Sequence, residues 1–145
     1  MESTMLIEAK TAGGLAPIKV LDFDTKGDNL SFFYEKINCE CVDIVPAYGI
    51  AKEFPALQGI CLVVDDEGLC KDEIVFNPIG SLLYGYLDHG QPLAGDVLVC
   101  KDVYTEDGIE TGGLTDEEID MVQAAIHKLV TKHNQRLEEQ RKAKA

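Results

Sequence analysis

No stretch of the chain approaches the ~18 consecutive apolar residues of a membrane-spanning helix, so no span is expected. Residues 1–10 lack the basic-then-apolar layout of a secretory signal, and the expected location is the cytoplasm. Paired metal-binding thiols are missing too. Cys39, Cys41, Cys61, Cys70 and Cys100 include no Cys-x-x-Cys pair, the short fixed spacing that a structural zinc site requires. An odd set of thiols reads instead as reduced and structural, with Cys61 and Cys100 set inside apolar runs as buried small hydrophobes.

Nucleophiles and bases are scarce. The serines are Ser3, Ser31 and Ser81, none in Gly-x-Ser-x-Gly, and the histidines are His89, His127 and His133. Residues 127 and 133 stand about 240° apart around a helix, so they share neither a proton nor a metal on one face. His89 falls in a loop, where a Cys–His pairing through space stays open. Gly-x-Gly-x-x-Gly and the Gly-rich lead into Gly-Lys-Ser/Thr are both absent, which removes the common phosphate loops. The expectation is a chain without catalytic residues, cofactor or metal.

Positive charge is the other shortage. Thirteen basic residues face 26 acidic ones for a net charge of −13, and residues 128–145 hold six of the basic residues. The remaining acidic body repels phosphate backbones, which argues against direct nucleic-acid binding and leaves open a basic protein surface, a metal ion or simply solvent as its counterpart. A solvated coat that keeps the protein soluble is the simpler alternative. The densest acids are Asp65, Asp66 and Glu67, with Asp72 and Glu73 beyond Gly68, and they are the candidate partner-binding residues. Carboxylates at a hairpin tip point into water, whereas Mg²⁺ or acid–base chemistry needs them to converge in a cleft. Asp22, Asp24 and Gly27 imitate the start of a calcium loop, but Lys26 and Phe33 occupy positions that require oxygen ligands.

What is present suits one small domain: 145 residues can bury a core without staples. Residues 1–17 read as a flexible lead-in or short edge element, 18–137 as the domain, and 138–145 as a frayed, charged tail. Strands are expected at Ile18–Asp24, Cys41–Val45, Ile60–Val64 and Gly95–Cys100, with Pro46 ending the second. Asp65–Gly68 followed by Leu69-Cys70-Lys71 has the signature of a hairpin, and Thr105–Gly113 reads as a polar connection. Leu30, Phe33, Tyr34 and Ile37 stand at helical spacing behind a cap at Asp28 or Asn29. A long C-terminal helix opens on a Thr115/Glu118 capping box and carries Ile119, Val122, Ile126, Leu129 and Val130 on one face. The expected fold is α+β: a mixed or antiparallel sheet, two shorter helices and the long last one.

The second helix carries the other candidate site. Asn77-Pro78 supplies a cap and a first-turn proline ahead of Ile79, Leu82, Leu83 and Tyr86. A phosphorylated ligand such as a nucleotide could sit at that helix start, with Tyr84, Tyr86 and His89 stacking on its base, although core packing also accounts for those aromatics. On the last helix, Lys128, Lys132 and Arg136 form a basic stripe that the helix dipole explains without a partner. The apolar pattern is too short for a coiled coil, and a tail docked on a second subunit is the homo-oligomeric alternative.

In order and spacing, Val42–Val45, Val63–Leu69, Phe76–Ile79, Ala94–Val99 and Leu114–Glu118 resemble a family of small uncharacterised proteins common in bacteriophages and mobile elements of Firmicutes. Members often lie near antirestriction proteins. The resemblance covers Ile18 to Ile126 and departs between Ala47 and Gly59 and after Ile126. It implies a phage or mobile-element accessory protein with an α+β fold and supplies no established activity; because such genes frequently act against host defences, the expected function is a non-catalytic binder that neutralises a host defence component. The acidic surface would occupy a nucleic-acid-binding site on that component, or the Asn77 pocket would sequester a nucleotide signal. A phage housekeeping role is the remaining alternative.

Overall fold

The computed structural model describes residues 2–9 and 18–144. Along them run β1 (Ser3–Ile7), β2 (Ile18–Asp22), α1 (Asn29–Ile37), β3 (Val42–Pro46), α2 (Tyr48–Glu53), β4 (Ile60–Asp65), α3 (Pro78–Tyr84), α4 (Tyr86–His89), β5 (Val97–Thr105), β6 (Gly108–Gly112) and α5 (Asp116–Lys144). Single 3-10 turns occupy Pro55–Leu57 and Gly68–Cys70. The strands make one six-stranded sheet in the order β2-β1-β5-β4-β3, with β6 on the outer half of β5 and every pairing antiparallel. The fold is α+β. None of the helices among the described residues is long and apolar enough to cross a membrane.

Helices cover both faces of the sheet, which is why its inner strands are apolar without alternation. On one face Met5, Ile7, Leu62, Val64, Val97 and Val99 meet Ile50 of α2, Leu83 of α3 and Val122, Ala125 and Ile126 of α5. On the other, Leu6, Cys61, Val63, Leu98 and Cys100 pack under Phe32, Phe33 and Ile37 of α1. Burial pushes the Cys61 thiol far above its ordinary range and that of Cys100 up to about 12, so both stay protonated. Capping follows the sequence: Asp28 accepts from the Ser31 amide at 3.0 Å. The Thr115 hydroxyl and Glu118 carboxylate exchange bonds with each other's amides at 3.2 and 2.9 Å.

Several expectations need correction. Ser3–Ile7 is an inner strand rather than a lead-in or edge, because Thr4 to Ile7 are buried and pair with β2 and β5. Residues 10–17 lie outside those described. The expected polar connection at Thr105–Gly113 holds β6, which closes a hairpin with β5 from Lys101↔Gly112 to Thr105↔Gly108. The expected hairpin after β4 does not form: both edges of β4 are already taken by β3 and β5, and the chain turns into Gly68–Cys70. As expected, Pro46 ends β3, and its presence in the strand is tolerated because β3 is an edge strand. Two short helices beyond the two expected, α2 and α4, flank α3. Helix α5 continues unbroken through 138–144, where a frayed tail was expected.

Candidate functional site

The layer of α2, α3 and α5 is held together by close backbone contact, and this sets the shape of the surface above it. A Cβ on Gly49 of α2 would collide with the Leu82 carbonyl of α3, so only glycine lets these helices touch. Gly85 then takes a left-handed φ of 80°, ends α3 and sends α4 off in a new direction. Two depressions flank the resulting corner.

The first is a cleft of about 470 Å³ between the end of β4 and the loop after α4. Asp65 and Asp66 stand on one side with Asp43, which β3 places opposite Val64. Tyr84, His89 and the 90–94 segment line it too. The His89 ring stacks on Tyr48 at 4.0 Å and 18°, and Tyr84 lies 5.8 Å from Tyr48. Cys70 lines the same cleft, with the His89 ring engaged by Tyr48. Two of the predicted acids and two of the predicted aromatics, assigned by sequence to separate sites, thus share one.

Their roles differ. The Asp65 side chain is 5% exposed, pairs with Lys71 at 2.7 Å and accepts from the Glu67 amide at 2.9 Å. It organises the turn, and its carboxylate raises the pKa of Lys71 by hydrogen bonding and charge. Asp43 and Asp66 are exposed and make no ion pair among the described residues. Glu73 faces a neighbouring depression together with Glu8, Lys71 and Asp96. Glu67 and Asp72 are exposed and line neither.

Asn77 is not available to a ligand. It is fully buried, its side-chain oxygen accepts from the Gly80 amide at 2.8 Å, and its NH₂ donates to the carbonyls of Ile7 (2.9 Å) and Gly95 (3.0 Å). These bonds clamp β1 and the 91–95 loop to α3, helped by Ser81, whose hydroxyl accepts from the Leu93 amide at 2.9 Å. Asn77 therefore positions the wall of the cleft from behind. Tyr86 faces the other depression, across Gly85 from Tyr84. The expected set of Asn77, Tyr84, Tyr86 and His89 is divided among the core and two surfaces. Sequence reasoning missed Asp43 and Tyr48; the apolar spacing of Ala47 and Ile50 was the available signal for α2.

Across the corner, Glu53 joins α2 to α5 through Lys132 (2.6 Å) and Lys128 (3.5 Å). The hydrogen bond from Lys132 chiefly holds the Glu53 carboxyl below its ordinary pKa, against the opposing effect of burial. A depressed carboxylate stabilises the fold above its unfolded pKa and loses that contribution as pH falls through its folded value. Thermal melts of Glu53→Gln should lie below those of the parent at neutral pH and converge with them at acid pH. A gap that persists at low pH would show that the bridge is not its source.

Among the described residues, no three His, Cys, Asp or Glu side chains converge as a metal site. Comparison with family models, curated proteins and solved structures returns no match.

Proposed function

We propose that the chain is a non-catalytic accessory protein of a bacteriophage or mobile element that binds and blocks a host defence protein in the bacterial cytoplasm. The observation that carries this reading is the cleft, lined both by two exposed carboxylates without an ion pair among the described residues, Asp43 and Asp66, and by Tyr84 and His89. A carboxylate pair beside aromatic faces suits an arginine or lysine side chain, which gains both ion pairing and cation–π contact. A net charge of −13 adds long-range attraction toward a surface evolved to hold nucleic acid. The resemblance to phage proteins near antirestriction genes supports the same direction. The nucleotide reading loses its anchor at Asn77, which is buried and fully bonded.

Expression of the chain in a bacterium carrying a restriction or nuclease defence should raise the plating efficiency of a sensitive phage. The captured complex should weaken steeply with salt, since exposed charges are screened over about 8–10 Å at physiological strength. Asp43→Asn with Asp66→Asn should slow association while leaving the melting temperature unchanged. Unchanged plating, or a complex indifferent to salt and to the double substitution, would overturn the proposal.

A further inference from the structure

We propose that the β5–β6 hairpin docks on a positively charged protein surface whose apolar recess receives Tyr104 and Ile109. The assignment rests on the reading of the partner as a basic protein but lies outside the acidic cleft, so either surface can fail alone. β1 pairs with β5 only over Val97–Val99 and β4 only over Leu98–Lys101, and the last bond on the β4 side runs from the Asp102 amide to the Gly59 carbonyl. From Val103 to Thr105, among the described residues, β6 alone accompanies β5. The hairpin thus leaves the sheet as a two-stranded ribbon, and every residue from Tyr104 to Glu110 is exposed. Such a ribbon is marginal by itself, and this one is fastened at both ends. At the tip the Thr105 hydroxyl donates to the Gly108 carbonyl at 3.1 Å and accepts from the Asp107 amide at 3.2 Å. At the base the Asn29 side chain donates to the Thr111 carbonyl at 3.1 Å.

Tyr104 and Ile109 stand directly opposite each other, so their side chains share one face of the ribbon. At 78% and 64% they are the most exposed large hydrophobic residues among those described, and neither belongs to an apolar layer of the core. An apolar centre with a charged rim is the anatomy of a protein interface, and tyrosine is a frequent anchor there. Charge selects the occupant. Asp102, Glu106, Asp107 and Glu110 lie along the same ribbon without an ion pair among the described residues, and no lysine or arginine falls between Lys101 and Lys128. A second copy would bring the same four carboxylates and another net −13 against them, so self-pairing is opposed. Guarding the sheet edge accounts for the acids but leaves two large apolar side chains in water. A surface of lysines and arginines around an apolar recess satisfies both, and the Tyr104 ring adds a face for a cation.

The probe is a synthetic peptide, Lys-Arg-Leu-Leu-Arg-Lys, with Lys-Arg-Gly-Gly-Arg-Lys as its charge-matched control, each titrated into ¹⁵N-labelled protein at physiological salt. The leucine peptide should move the amide resonances of residues 103–110 saturably and bind about tenfold more tightly than the control, since it alone covers the apolar pair. Tyr104→Thr with Ile109→Thr keeps strand-compatible residues at two exposed positions. That variant should lose the preference for leucine while its melting temperature stays near that of the parent. Equal affinity for the two peptides, or a preference that survives the double substitution, overturns the inference. Shifts confined to Asp43, Asp66 and residues 89–94 overturn it as well and leave the cleft reading standing, whereas shifts confined to the ribbon do the reverse.

Discussion

Asn77→Ala should lower the unfolding free energy by about 3–5 kcal/mol, combining a lost helix cap with the loss of the side-chain donor to the buried Ile7 carbonyl and to the part-buried Gly95 carbonyl. For a chain of this size, that is a fall of roughly 10–15 °C in melting temperature. The large effect follows from where the bonds lead: one side chain holds the start of α3, the end of β1 at Ile7 and the loop at Gly95. Urea unfolding of the variant measures it. A loss below about 1 kcal/mol would mean that water replaces the missing amide, and would return Asn77 to the solvent-accessible role that the sequence suggested.

A larger loss is expected where α5 packs on the sheet. Ile126 is 5% exposed and packs with Val122, Ala125 and the sheet, so Ile126→Asp both empties its space and buries a carboxylate. Together these should cost at least about 4–5 kcal/mol, enough to threaten a domain of ordinary stability. The buried carboxyl titrates above its unfolded value, so the deficit should shrink as pH falls and the group becomes neutral. Circular dichroism melts across pH follow this directly. Truncation after Leu137 removes only the outer turns of α5 and should leave the melting temperature close to that of the parent. Equal damage from the two changes would show that the outer helix is docked.

Elements whose residues satisfy a local rule were legible in the sequence. The Thr115/Glu118 box and the spacing from Ile119 to Val130 specify α5 within its own turns, and Ile60–Val64 reads as a strand because both its faces are covered. β1 was not legible. Ser3 to Ile7 offer one short apolar run after polar residues, and only pairing with Val97–Val99 far along the chain makes it an inner strand. Asp65–Gly68 misled for the opposite reason, since a turn-rich sequence says nothing about whether the next segment finds a free sheet edge. The candidate site shows the same division. The acids and aromatics could be picked out by type, but their meeting depends on Gly49 and Gly85 bringing α2, α3 and α4 into contact. Asn77 was recognised as a cap; its other two bonds join parts of the chain that no spacing rule connects.

The place of β1 between β2 and β5 also sets an order of events during synthesis. Met5 pairs with Val99, so the chain must grow by some ninety residues before the inner edge of the β1–β2 hairpin is covered. At ~5–20 residues per second that is a wait of about 5–20 seconds, long compared with hairpin formation itself. Until β5 emerges, Met5 and Ile7 have no sheet partner on that side and α5 has no complete layer to close over. The nascent chain therefore carries an unpaired apolar edge through most of its translation, and its ribosome-bound intermediates are the species most exposed to chaperone capture and aggregation.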